Sequence, residues 1–304
     1  MNTQVTLLVN PTAGHGRAAR LVDPVREQLR AGGLDVAVAR GRHAEHSLDL
    51  AHAAVEQGTG ALVVLGGDGM CHLALQAVAG TTTPLGIIPA GTGNDLAATV
   101  GMPIDPRTAA RTVAEAVRQD RTRKIDAATA AGRWWGGVLC AGFDSAVNER
   151  ANAMRWPAGP RRYDLAILAE LARLHTETFT LTLDGQPWQV EATLVAVGNG
   201  PRYGGGLQIC PQARIDDGLL GVTVVGPVSR VELVRVKPRV RRGDHITHPA
   251  VTVRQARQIT LAAPGVTAYA DGERVGALPV TATCVPGALR VLTPALPTDE
   301  PIQP

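Results

Sequence analysis

The chain has 304 residues, 45% of them hydrophobic, enough apolar side chain for one large or two ordinary globular domains. Its formal net charge of +3 is too mild for a charge-driven nucleic-acid binder, so no nucleic-acid partner is expected. No run of about eighteen apolar residues occurs, which excludes a membrane-spanning helix.

In chain order, "VTLLVNP" reads as an apolar strand ending in Asn-Pro, and "RAARLVDPVREQLRAGG" has helical spacing with Gly32-Gly33 as its stop. "LDVAVAR" is a second strand, "SLDLAHAAVEQG" a helix with Ser47 as expected N-cap, and "ALVVLGG" a third strand. "HLALQAVAG" is helical, "PLGIIPAG" a strand, and "DPRTAARTVAEAVRQDR" a helix that opens on Asp105-Pro106. Strands alternating with helices predict a doubly wound parallel sheet for residues 1–124.

The texture changes at "TRKIDAATAAGRWWGG". Residues 125–292 are mostly short β-rich runs parted by glycines, such as "TFTLTLDG", "WQVEATLVAVGNG", "LLGVTVVG" and "VTAYADGE". One helix, "PRRYDLAILAELARLH", is expected to interrupt them. The pattern predicts a mainly antiparallel β-sandwich carrying a helical insertion. Residues 293–304, rich in Pro and acid, are expected to form a frayed tail.

Cys71, Cys140, Cys210 and Cys284 lie far apart with no CxxC pair, so buried thiols in a reducing cytosol are expected. "MNTQVTLLVN" lacks the basic start and long apolar core of a signal peptide. A cytoplasmic protein is expected, with any membrane contact peripheral, on the inner face of the plasma membrane. The sequence leaves a homodimer open.

Three glycine-rich turns end apolar strands of the first domain: "NPTAGHGRA", "GGDGM" and "PAGTGND". In a parallel sheet such turns emerge together at the carboxyl edge, where ligands bind. Glycine lets backbone N–H groups approach phosphate oxygens, and a following helix N-terminus adds partial positive charge. Each turn alone is as readily a tight connection; three on one edge predict a nucleotide site.

"GHGRAA" formally matches a dinucleotide fingerprint, but the second strand ends in Ala39-Arg40 instead of the acid that a ribose requires. No GxxxxGK occurs. The pairs His43/His46 and His245/His248 lack a third ligand at zinc spacing and read as surface or loop histidines. Ser145 in "FDSAV" is no nucleophile elbow, and Trp134-Trp135 reads as strand packing.

The ordered set "VNPTAG", "GGDGM", "PLGIIPAGTGNDLA", "VAVGNGPRYGGGLQICPQARIDDGLL" and "ADGE" resembles the bacterial diacylglycerol kinases and related lipid kinases, whose catalytic domain is shared with sphingosine kinases. The resemblance covers nearly the whole chain. It implies that ATP binds in the cleft between two domains, against Asn10, Gly66, Gly67, Asp68, Gly69, Met70, Thr92 and Asn94. Asp68 would handle nucleotide and Mg²⁺, a hard cation that prefers carboxylate oxygen shared with phosphates. Met70 stands where the family has threonine, and its backbone N–H is expected to carry the phosphate contact.

The same resemblance places the catalytic base on Asp271 with Glu273 in support, although Asp-Gly is also a strong hairpin turn signal. It implies a structural Mg²⁺ held by Asp217 with the carbonyls of Arg214 and Leu219; Gly221 stands where relatives often have Asp. The basic stretches "RWPAGPRRY" and "RVKPRVRRGDH" would face anionic headgroups. The expected activity is ATP- and Mg²⁺-dependent phosphorylation of diacylglycerol to phosphatidate at a membrane surface. The alternatives are another kinase of the superfamily, acting on a sphingoid base, another lipid or NAD, or a non-catalytic nucleotide-binding protein.

Overall fold

The structure, a computed structural model, describes residues 2–10, 17–154, 156 and 160–295. The chain divides into two compact units, Met1–Ile125 with Gly287–Pro304, and Asp126–Pro286.

The first unit contains β1 (Gln4–Val9), α1 (Arg17–Ala31), β2 (Asp35–Arg40), α2 (Ala44–Glu56), β3 (Ala61–Gly66), α3 (Asp68–Val78), β4 (Leu85–Pro89), α4 (Asp95–Thr99) and α5 (Pro106–Arg118). Its strands run parallel in the order β2-β1-β3-β4. Every residue of β3 and β4 is buried, which is why both read as unbroken apolar runs. Helix α1 packs beside α5, and α2 beside α3. The strand order reverses around β1, so a topological switch point lies between the carboxyl ends of β1 and β3.

Helix α5 starts as expected: Pro106 is its first residue and the Asp105 carboxylate accepts the Thr108 N–H at 2.8 Å. Helix α2 corrects the expectation. It begins at Ala44, its N-cap is His43, whose Nδ1 accepts the His46 N–H, and Ser47 lies buried with its hydroxyl donating to the His43 carbonyl. Packing decides this: the Cβ that Gly41 lacks would fall 1.9 Å from Ser47 Oγ. The turn containing Gly14 and Gly16 lies outside the described residues.

Strand β5 (Thr122–Ala130) leads into the second unit, which continues with β6 (Arg133–Trp135), β7 (Val138–Gly142), α6 (Phe143–Ala153), α7 (Pro160–Ala172), β8 (Glu177–Leu183), β9 (Gln186–Ala192), β10 (Leu194–Gly198), β11 (Leu220–Val225), α8 (Arg230–Val240), β12 (Val251–Ala256), β13 (Gln258–Ala262), β14 (Thr267–Ala270), β15 (Glu273–Ala277) and β16 (Val280–Leu292). One antiparallel sheet has the order β12-β11-β10-β7-β14-β15; opposite it, β13 pairs with β8 and with the first residues of β16, and β8 with β9. Phe179, Leu181, Ile259 and Leu261 from the second sheet and Val195, Val197, Val222 and Val224 from the first share one core, which makes the unit a β-sandwich. The end of β16 returns to the first unit, where Val291 pairs with Leu85 of β4.

Two helices of this unit, α6 and α8, were not expected. Helix α8 carries its own start signal: Ser229 and Glu232 form a capping box. Among the histidines, His245 is 1% exposed with Nε2 against the Ile209 carbonyl, and burial pushes its pKa down; it is not a surface residue. All four cysteines are buried thiols outside any disulfide, and Trp135 is a core residue of its strand.

Candidate functional site

Gly66 and Pro89 are register partners at the ends of β3 and β4, so the GGDGM and PAGTGND turns leave the sheet side by side. Their glycines serve close packing of backbone on backbone. A Cβ on Gly67 would lie 2.8 Å from the Gly93 carbonyl oxygen and 2.9 Å from Gly91 Cα, and one on Gly91 would lie 2.4 Å from Gly67 Cα. Asp68, isolated among glycines in the sequence, is engaged in the fold. It is the first residue of α3, and its Oδ1 accepts the Asp95 N–H at 2.7 Å and the Leu96 N–H at 3.4 Å, capping α4. Asn94 closes the second turn, its Oδ1 accepting from Gly91 N–H and its Nδ2 donating to the Gly91 carbonyl, both at 3.1 Å. Thr92 is exposed at the tip of that turn, and Asn10 directly follows β1.

Gly69 differs from its neighbours. It is exposed in the first turn of α3, and no atom lies within 4 Å of the Cβ it lacks. Glycine inside a helix costs about 1 kcal/mol against alanine, and packing within the chain gives no return for it here. Met70 is the opposite case. It is 4% exposed, its side chain fills the place a Gly66 Cβ would take, and its N–H donates to the Gly67 carbonyl at 3.0 Å. The N–H expected to meet a phosphate is therefore engaged in the first helical turn.

In the second unit, Asp271 follows β14 with φ 52° and leads through Gly272, φ 84°, into β15. Two successive positive φ values are the signature of a tight hairpin turn, and Asp-Gly is suited to it. Its carboxylate turns back onto the loop before β7: Oδ2 accepts the Gly136 N–H at 2.9 Å, and Oδ1 accepts those of Gly137 at 2.9 Å and Val138 at 3.2 Å. A Cβ on Gly137 would stand 2.7 Å from Oδ1, so only glycine admits this approach. Consecutive amides gathered on one carboxylate form a nest, which fixes the orientation of the Asp271 side chain. Glu273 opens β15 and is exposed; its neighbour Arg274 pairs with Glu149 at 2.8 Å.

Two residues that the sequence did not single out tie the motifs of this unit together. Asn199, fully buried at the end of the "VGNG" strand, donates through Nδ2 to the carbonyls of Gly136 and Asp126, both at 3.0 Å. Asp126, 3% exposed on β5, accepts the Gly218 N–H of the "DDGLL" loop on Oδ2 at 2.7 Å, and its own N–H donates to the Ile215 carbonyl. A lone acid between Ile125 and the alanines of β5 was the available signal for Asp126. The loops bearing Asp271, Asn199 and Asp217 thus converge on residues 126–138.

In that loop, Asp217 is exposed and its Oδ1 accepts the Leu219 N–H at 3.0 Å, while Arg214 Nε lies 3.6 Å from Asp216. Among the described residues no cluster of three or more His, Cys, Asp or Glu could hold a metal. Gly221 is required by packing, since a Cβ there would fall 2.9 Å from that of Ala213.

A further titratable group belongs to the same region. Asp144, in the first turn of α6, bonds the Tyr203 hydroxyl, and burial pushes its carboxyl up to about 6, against the lowering effect of that bond. On β7, the Cys140 thiol is pushed well up by burial and then by the charges of Asp144 and Asp271.

Residues 4–130 match the family described as the diacylglycerol kinase catalytic domain, and residues 137–293 match the YegS C-terminal NAD kinase beta sandwich-like domain. A diacylglycerol kinase of Mycobacterium tuberculosis is 43% identical over 294 residues, covering 96% of this chain and 95% of its own. A probable lipid kinase YegS-like protein of Stenotrophomonas maltophilia is 31% identical over 255 residues, covering 80% and 81%. In fold, the chain matches the crystal structure of a putative diacylglycerol kinase from Bacillus anthracis with a TM-score of 0.80 at 23% identity, over 96% of each chain.

Proposed function

Because the chain belongs to the diacylglycerol kinase family and is a lipid kinase, we propose that it transfers the γ-phosphoryl group of ATP to the hydroxyl of diacylglycerol, giving phosphatidate. The observation that carries the phosphate side is Gly69: an open glycine in the first turn of a helix leaves room for a ligand at a partially positive terminus. Gly66, Gly67, Gly91, Thr92 and Asn94 shape the paired turns around it, and Asn10 stands at the adjacent strand end.

Asp271 is the proposed base. Both its oxygens accept backbone N–H groups, so its position is held before substrate arrives. It takes the proton of the lipid hydroxyl as that oxygen forms its bond to the γ-phosphorus. The bond from phosphorus to the β–γ bridging oxygen breaks, and ADP leaves with the electron pair. Glu273, two residues on at the start of β15, is proposed in support. When bound, Mg²⁺ supplies charge neutralisation at the phosphates; hard carboxylate oxygen suits it, and Asp68 is the proposed ligand on the nucleotide side. A structural Mg²⁺ at Asp217 with the Arg214 and Leu219 carbonyls is proposed on the same chemistry.

The test is incubation of the purified protein with Mg²⁺, labelled ATP and total bacterial lipid, followed by mass spectrometry of the labelled product. Phosphatidate is expected. A phosphorylated sphingoid base, another phospholipid, phosphorylation of added NAD, or no transfer at all would overturn the assignment.

A further inference from the structure

Helix α8 has no buried residue, although four of its eleven residues are valine and one is leucine. Leu233, Val236 and Val240 are partly covered, which accounts for one face. Val231 and Val234 are 56% and 55% exposed and, with exposed Pro238, fall on the opposite face at spacings of three and four residues. Around that apolar stripe stand Arg230, Arg235, Lys237 and Arg241, with Glu232 drawn off into the capping box. A solvated basic helix would place its cations outermost. Here valines are outermost and cations flank them, the pattern of a helix lying in a lipid interface.

A second exposed apolar face lies on α7, whose end is tied to the start of α8. Arg230 donates to the carbonyl of Ala172, the last residue of α7, at 2.6 Å. On α7, Leu165 and Leu168 are 42% and 61% exposed and share a face with exposed Ala172. We infer that the exposed apolar faces of α7 and α8 dock this protein onto an anionic bilayer, the valines and leucines entering the interface and the α8 cations meeting acidic headgroups. The inference concerns where the protein sits and does not depend on which lipid it phosphorylates.

Sedimentation with vesicles, without nucleotide and without any activity measurement, tests it. The wild-type protein should co-sediment with vesicles of phosphatidylglycerol and phosphatidylcholine, weakly with phosphatidylcholine alone, and less as salt rises. Replacing Arg235 and Lys237 by serine removes two interfacial cations and should weaken anionic-vesicle binding about thirtyfold. Val231→Asp with Val234→Asp should reduce it at least as much, and Leu168→Asp should also reduce it. All five residues are exposed, Val231, Val234 and Leu168 by more than half, so thermal unfolding of the variants should match wild type. No binding to anionic vesicles, or binding that all three variants retain, overturns the inference. So does a wild-type dimer that Val231→Asp with Val234→Asp converts to monomer while vesicle binding persists, which would assign the face to a second copy.

Discussion

Replacing Asp271 by asparagine separates the chemistry of its carboxylate from its structural work. Asparagine tolerates φ 52°, so the hairpin turn is kept. Its Oδ1 can still accept from Gly137 and Val138, but its NH₂ group then faces the Gly136 N–H, donor against donor. Leaving that amide unsatisfied costs about 1–3 kcal/mol, and at roughly 2–4 °C per kcal/mol the melting temperature should fall by roughly 2–12 °C. Asp271→Ala removes all three acceptors and leaves alanine in the left-handed region, which adds about 1–2 kcal/mol, so its fall should be larger. If Asp271 is the base, turnover of the asparagine variant should drop about 10²–10⁴-fold while ATP affinity is nearly unchanged. Calorimetric unfolding, isothermal titration with ATP and Mg²⁺, and a lipid kinase assay read the three quantities. Turnover above about a tenth of wild type would refute the base, since general-base catalysis is worth far more. An unchanged melting temperature for both variants would refute the anchoring of the Gly136–Val138 loop.

Gly67→Ala should weaken ATP binding and lower stability together, because its Cβ meets the Gly91–Gly93 backbone; Gly69→Ala should leave stability equal or raised by up to about 1 kcal/mol yet weaken ATP binding, and unchanged affinity in both would move the nucleotide elsewhere. Met70→Thr replaces a buried side chain by a smaller, polar one and should cost about 1–3 kcal/mol by urea unfolding while turnover stays within about threefold. A tenfold gain in ATP affinity would instead show that a hydroxyl at position 70 reaches a phosphate. Asp144 is raised from 3.8 to about 6, so the folded protein holds a proton between those values that the unfolded chain releases. Its contribution to stability is full below that window and lost as pH rises through it. Relative to wild type, Asp144→Asn should therefore gain up to about 3 kcal/mol between about pH 4 and pH 8, and a pH-independent difference would refute the raised carboxyl.

The parallel sheet of the first unit was legible from sequence because its strands alternate with helices and β3 and β4, buried on both faces, spell unbroken apolar runs. The β-sandwich was legible from its short runs and glycine stops. The pairing of GGDGM with PAGTGND followed from parallel topology, which brings successive strand ends to one edge. Helix α6 and the apolar stripe of α8 were not legible, since the burial of a residue depends on what packs over it and local periodicity is blind to that. Gly41 against Ser47 moved a cap by the same cause.

What the amino-acid order determined by itself was which residues can do chemistry: carboxylates at Asp68 and Asp271 set beside glycines that let backbone come close. What only the tertiary structure decided was how those groups are occupied. Asp68 caps α4, Asp271 binds three amides, Met70 fills the space over Gly66, and Asp126 with Asn199 ties three loops together. Hydrogen bonds to main-chain amides carry no side-chain signature, and their partners lie as far as 135 residues away along the chain. That is why spacing could reveal the groups but not their partners.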